Sequence, residues 1–86
     1  MNEEKAPDFC FFISSLAIQA SIALGLMPNP VSGNVEENLP HAKLIVNTLL
    51  MLKEKTQGNL NTEEDSLLDK FIHELQAQYA GKKQGA

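Results

Sequence analysis

Arginine and tryptophan are absent from the 86-residue sequence, and lysine is outnumbered by acidic residues, which gives a formal net charge of −4. Arginine supplies the planar fork that reads guanine and grips phosphate in two places. An acidic chain is also repelled by the nucleic-acid backbone. The composition therefore argues against a nucleic-acid partner and against a site for phosphorylated substrates.

Cysteine occurs once, at Cys10, which excludes a disulfide within the chain. Its phenylalanine neighbours predict a packed thiol rather than a reactive one, because no cation stands near it to stabilise a thiolate. His41 and His73 lie far apart in the sequence, so we expect neither a metal site nor a cofactor. Small domains commonly compensate for a small core with disulfides, metals or self-association. Because the first two are excluded or not expected, this composition favours self-association as the means of stabilising a small core.

An uninterrupted hydrophobic run is also lacking. Residues 9–27 approach the length of a membrane-spanning helix, but polar residues interrupt them at Ser14, Ser15, Gln19 and Ser21. The preceding segment is acidic rather than basic, unlike that of a signal peptide. We therefore expect a soluble cytoplasmic protein with neither a membrane span nor a signal peptide.

Apolar residues recur at helical spacing in three segments, which predicts an all-α fold. Asp8 and Asn38 are expected to cap the first and second helices. The predicted helices cover residues 9–26, 39–57 and 62–80. They form a single domain over residues 9–81, which is flanked by flexible tails at residues 1–8 and 82–86.

The turn between the second and third helices carries its own signals. Gly58 is expected in left-handed backbone, Leu60 is expected to plug the end of the hairpin, and Thr62 is expected to cap the third helix. These residues predict an antiparallel hairpin of the second and third helices, with the first helix packed across it. The connection from Pro28 to Glu37 has no periodicity, so the sequence leaves open whether it is ordered, mobile or a binding element.

Each predicted helix has one stripe of apolar residues that should face the core. In the first helix these residues are Phe9, Phe12, Ile13, Leu16, Ala20, Ala23 and Leu24. In the second helix they are Leu39, Ala42, Ile45, Val46, Leu49, Leu50 and Leu52. In the third helix they are Leu67, Leu68, Phe71, Ile72, Leu75 and Tyr79.

The first helix carries a second apolar face opposite to its core stripe. A helix side that meets only solvent should not carry large apolar residues at this spacing. Leu44 and Met51 likewise lie off the core stripe of the second helix. The predicted interface comprises Phe11, Ser14, Ser15, Ile18, Gln19, Ile22, Leu44 and Met51. Gln19 either forms a hydrogen bond within a buried contact or faces water.

No set of catalytic residues emerges from the sequence. The acidic residues at 36–37 and 63–65 stand at helix starts, where the helix dipole favours their charge. The serines of the first helix have no base within helical reach. His73 follows Asp69 by one helical turn, but two ligands do not make a metal site. We therefore expect no enzymatic activity.

Several strings resemble a known family. They are F-x-x-F-I-S-S-L-A-x-Q-A from Phe9, N-L-x-x-A-K from Asn38, E-K-T-x-G-N-L from Glu54 and E-L-x-x-x-Y ending at Tyr79. Together they resemble the small bacterial helical family filed as domain of unknown function 1844. The sequence departs from that pattern at Gln76, where the family often has arginine. The resemblance implies a helical fold and a bacterial origin, and it implies no reaction.

These observations favour a protein–protein interaction module that associates with itself, most simply as a homodimer, within a homo-oligomeric bundle. The alternative is a first helix that binds a lipid surface or an apolar ligand. Interfacial helices usually flank their apolar face with lysine or arginine, and residues 9–26 contain neither. Partners other than a second copy remain unidentified by the sequence.

Overall fold

The computed structural model describes residues 8–85, with side chains up to Lys83. This part of the chain forms three helices, α1 (Phe9–Ala23), α2 (Leu39–Lys55) and α3 (Thr62–Gly85). Each helix packs against the other two. No strand occurs between residues 8 and 85, where an isolated antiparallel bridge joins Leu24 to Glu37. The all-α prediction is confirmed.

The caps of α1 and α2 are the residues that the sequence indicated. The Asp8 carboxylate accepts a hydrogen bond from the backbone N–H of Cys10 at 3.1 Å. The Asn38 side-chain oxygen accepts one from the backbone N–H of His41, also at 3.1 Å. Each bond satisfies an N–H group that has no partner inside its helix.

Helix α1 ends at Ala23, three residues before the predicted end at Leu26. Gly25 adopts a positive φ of 78°. Its N–H donates to the carbonyl of Ile22 at 3.0 Å, and the N–H of Leu26 donates to the carbonyl of Ser21 at 2.9 Å. This pair of bonds is a Schellman motif, in which a left-handed glycine closes the helix. Leu26 therefore lies outside α1.

The connection from α1 to α2 folds back on the end of α1. The backbone N–H of Asn38 donates to the carbonyl of Ala23 at 2.7 Å, and that of Gly33 donates to the carbonyl of Asn29 at the same distance. The Asn29 side chain also accepts a hydrogen bond from the N–H of Val31 at 2.8 Å. The segment that the sequence left open is thus a hydrogen-bonded loop.

The turn between α2 and α3 follows the prediction except at its cap. Gly58 has a φ of 83°, and Leu60 is half-buried against the core. The N-cap of α3 is Asn61 rather than Thr62, which is the first helical residue. Asn61 accepts from the N–H of Glu64 at 2.8 Å and donates its own N–H to the Glu64 carboxylate at 3.0 Å. The longer glutamate side chain closes this reciprocal box.

Helix α3 runs to Gly85, so the predicted end at residue 80, just before Gly81, and the predicted tail over residues 82–85 are wrong. Glycine inside a helix costs about 1 kcal/mol relative to alanine, which weakens a helix without ending it. Lys82 in this added turn forms an ion pair with Glu37 at 3.2 Å. Residues 1–7 of the predicted N-terminal tail, and Ala86, lie outside the described residues.

The core lies where the three helices meet, and it draws on all of them. Two predicted members are instead exposed, Phe12 by 48% and Leu50 by 37%. Each lies about a quarter turn from the centre of the buried side of its helix, as the 100° rotation per residue requires. The buried residues are Ile13, Ala17, Ala20, Ala23, Leu24, Ala42, Ile45, Val46, Leu49, Leu68, Ile72 and Leu75.

None of the helices formed by residues 8–85 has both the length and the apolar character needed to cross a membrane.

Candidate interaction surface

The outer face of α1 consists of Phe11, Ser15, Ile18 and Ile22, which lie on the side of the helix opposite to its buried residues. Phe11 is 74% exposed and Ile18 is 50% exposed. Ser15 and Ile22 are half-buried. The structure thus leaves a large aromatic ring and a β-branched side chain in contact with solvent on one helix side.

The composition of α1 accounts for this arrangement. Its 15 residues contain no charged side chain. Three of its four buried residues are alanines, namely Ala17, Ala20 and Ala23, and small residues let neighbouring helices approach closely. Phe11 and Ile18 therefore point away from the hairpin, while alanines face it.

The flanks of the outer face contain the other predicted residues of α1. Ser14 is half-buried and Gln19 is exposed, so Gln19 faces solvent within the single chain. Phe12, which was predicted to lie in the core, borders the outer face and extends its apolar area. The Ser15 hydroxyl donates to the backbone carbonyl of Phe12 at 2.7 Å.

Leu44 and Met51 lie on α2, one almost directly above the other along the helix because they are seven residues apart. They are 60% and 44% exposed, respectively. Because all three helices contact one another, the sides of α1 and α2 that point away from the core face in different directions. These two residues therefore form an apolar pair separate from the outer face of α1, and the single chain does not bring the predicted interface residues of α1 and α2 together on one surface.

The loop between α1 and α2 adds apolar residues that the sequence interpretation missed. The exposed members are Leu26, Met27, Val31 and Val35. A hollow of about 280 Å³ separates this loop from α1 and the start of α2, with Gln19, Ile22, Asn29, Pro30, Glu36 and His41 in its lining. Through Gln19 and Ile22 it adjoins the outer face of α1. The sequence signal for them was weak, because these apolar residues have no helical spacing and are interspersed with prolines and glycines.

A cluster of charged side chains lies between α2 and α3, near the turn that joins these two helices. Lys53 forms a hydrogen-bonded ion pair with Asp69 and lies 3.9 Å from Asp65. The hydrogen bond that the Lys53 ammonium donates to the Asp69 carboxylate raises the pKa of that ammonium. Lys53 and Asp65 border a hollow of about 380 Å³ beside Gly58 and Leu60. The contact ties α2 to α3 next to their turn, which is a structural role.

Cys10 is half-buried at the start of α1. Partial desolvation, together with the negative charges of Asp8, Glu63 and Glu64, raises the pKa of its thiol. A raised thiol pKa lowers the fraction of reactive thiolate at neutral pH. The half-buried position agrees with a packed thiol, and the low reactivity of this thiol stays a prediction.

His73 and His41 are both exposed. The Asp69 carboxylate, one turn before His73, is engaged by Lys53. Within residues 8–85, no group of three or more histidine, cysteine, aspartate or glutamate side chains could hold a metal ion. The predicted absence of a catalytic centre stays a prediction.

The family comparison covers nearly all of the chain. The profile described as domain of unknown function DUF1844 matches residues 6–81. The chain belongs to the DUF1844 family. No curated protein and no solved structure matches the chain. The matched DUF1844 region contains α1, α2 and the outer face of α1, so that face belongs to the family domain rather than to an appended segment.

Proposed function

We propose that this DUF1844 chain is a non-catalytic protein–protein interaction module that associates with a second copy of itself through the outer face of α1. The observation that carries this proposal is the exposure of Phe11 and Ile18 on a helix without any charged residue. Contiguous exposed apolar surface on a small domain marks an interaction site or an aggregation hazard. Pairing of two such faces removes the hazard.

The size of the apolar area supports a specific contact. A phenylalanine presents about 150–250 Å², so Phe11 alone exposes roughly 110–190 Å² at 74% exposure. On the same basis the neighbouring Phe12, at 48% exposure, adds roughly 70–120 Å², and the half-exposed Ile18 adds a smaller area. A standard interface needs about 800 Å² from each partner, which is about one seventh of the 5750 Å² accessible surface of this chain. The outer face of α1 supplies the apolar centre of such a contact.

Charge favours a second copy over a charged partner. The chain has a net charge of −4, so two copies repel each other over most of their surface. The uncharged outer face of α1 is where two copies can approach with little repulsion. A partner chosen for opposite charge would be drawn instead to acidic stretches such as residues 63–65.

The lipid alternative starts from the same face and has weaker support. Helices that lie on a membrane usually carry lysine or arginine beside their apolar side, and α1 has neither. The residue that caps its N-terminus is Asp8, whose carboxylate anionic lipid would repel. Co-sedimentation with anionic and neutral vesicles tests this alternative, and we expect the protein to stay in the supernatant with both.

Molar mass in solution tests the proposal directly. Light scattering on the unmodified chain at micromolar concentration should give twice the 9.5 kDa of one chain, or a higher multiple. A mass of one chain across that range would refute self-association. Recovery in the vesicle pellet with a monomeric mass would favour the lipid alternative instead.

A further inference from the structure

We infer that the two copies pair through α1 in antiparallel orientation about a two-fold axis, with Ile18 of each copy seated over Ser15 of the other. This inference rests on the proposed self-association and adds its orientation and register. It follows from the order of residue sizes along the outer face of α1 and from the charges at the ends of that helix.

The four residues of the outer face follow the spacing of a helix-pairing seam. Phe11, Ser15, Ile18 and Ile22 are separated by four, three and four residues. This alternation is that of the core positions in a coiled coil, where each side chain enters a hole on the facing helix. α1 spans 15 residues, or about 22 Å at 1.5 Å per residue, which is long enough for the four layers.

The sizes of these residues distinguish the two orientations. In a parallel pair each residue faces the same residue of the other copy. Two Ser15 side chains would then be too small to fill their layer, and two Phe11 side chains would be too large for theirs. In an antiparallel pair, Phe11 of one copy meets Ile22 of the other, and Ser15 meets Ile18. Every layer then combines a larger side chain with a smaller one, which fills the contact evenly.

Ser15 can be covered by an isoleucine without leaving a polar group unpaired. Its hydroxyl already donates to the carbonyl of Phe12 in the same helix. A buried hydroxyl that keeps its hydrogen bond avoids the penalty for an unsatisfied donor. Position 15 is therefore a small, satisfied site suited to receive a larger side chain.

Charges at the ends of α1 favour the same orientation. Asp8 caps the N-terminus of the helix, so parallel pairing would bring two carboxylates side by side at one end of the contact. Antiparallel pairing places them at opposite ends, about 20–25 Å apart for a helix of this length. It also places the positive N-terminal end of each helix dipole beside the negative C-terminal end of the other, which is the favourable arrangement.

Thiol crosslinking between single-cysteine chains tests the orientation. Two variants are made in a Cys10→Ser background, one with Phe11→Cys and the other with Ile22→Cys, and each is treated with a short bis-maleimide alone and in an equimolar mixture. Antiparallel pairing predicts that the covalent dimer forms mainly in the mixture. A Leu44→Cys chain in the same background is the matched control, and we expect it to give no covalent dimer beyond the level of random collision.

The outcomes separate the orientation from self-association itself. Efficient crosslinking of Phe11→Cys alone and of Ile22→Cys alone would show parallel pairing and overturn this inference while the homodimer stands. A dimeric mass without crosslinking in any mixture would place the contact away from the outer face of α1 and also overturn it. A monomeric mass for the unmodified chain would refute the proposed function, and the orientation with it.

Discussion

The substitution Ile18→Glu places a carboxylate at the centre of the outer face of α1. Full burial of an isoleucine contributes about 1.5–3 kcal/mol, and half of this side chain is already covered in the single chain. Burial of the exposed half contributes roughly 0.8–1.5 kcal/mol per copy, or about 1.5–3 kcal/mol for a symmetric pair. At about 1.4 kcal/mol per tenfold, its loss alone raises the dissociation constant about 10- to 150-fold.

The carboxylate weakens the contact beyond this figure, because a charge buried without a partner costs several kcal/mol. We therefore expect the Ile18→Glu variant to be monomeric at micromolar concentration. Its helix content should change little, since Ile18 points away from the core and glutamate is at least as good a helix former as isoleucine. Light scattering measures the mass, and far-ultraviolet circular dichroism measures the helix content.

Leu44→Glu is the matched control for this experiment. Leu44 is 60% exposed on α2. Its substitution therefore introduces the same charge as Ile18→Glu at a similarly exposed position away from α1. We expect this variant to keep the mass of the unmodified protein. Retention of a dimeric mass by Ile18→Glu, or equal loss of it in both variants, would refute the assignment of the contact to the outer face of α1.

Three further predictions concern stability and are read from urea unfolding at a fixed protein concentration. Gly58→Ala should destabilise the fold by about 1–2 kcal/mol because φ is 83° there, whereas Gly81→Ala should stabilise it by about 0.5–1 kcal/mol because Gly81 lies inside α3 with open space around it. Asn61→Ala should cost about 0.5–2 kcal/mol through loss of the cap, and Thr62→Ala should cost less than half as much. Leu68→Ala should cost about 2–5 kcal/mol, as expected for a fully buried leucine. These predictions would be contradicted by equal effects of the two glycine substitutions, by equal effects of Asn61→Ala and Thr62→Ala, or by a Leu68→Ala cost below about 1 kcal/mol.

The helices and two of their caps could be predicted because their signals are local. Asp8 and Asn38 each stand directly before an apolar run, and each side chain bonds an N–H two or three residues further on. Such contacts depend on a handful of consecutive residues, so the sequence carries nearly all of the information. The same holds for the positive φ of Gly58.

The errors arose where neighbouring signals competed or where packing decided. Asn61 and Thr62 are both acceptable caps, and the choice depended on whether Glu64 or Asp65 could reach back to close the box. Gly81 resembled a helix stop, but α3 continues through it to a turn in which Lys82 pairs with Glu37. That ion pair joins residues far apart in the sequence, so no local pattern could reveal it.

The assignment of helix sides was limited in a similar way. Phe12 lies near the boundary between the buried and exposed sides of α1, and the rotation of the helix against its hairpin decides where it falls. The buried alanines of α1 fix that rotation, since they allow the closest approach. Phe12 is consequently left beside Phe11 on the exposed side.

This distribution of sizes links the fold to the proposed association. A helix that served only its own core would place its largest side chains inward, because burial of large apolar groups is the main source of stability in a small domain. In α1 the residues facing inward include Ala17, Ala20 and Ala23, while Phe11 and Ile18 face outward. Self-association through the outer face of α1 would bury these outward side chains, so the second copy would complete a core that the single chain leaves open on one side.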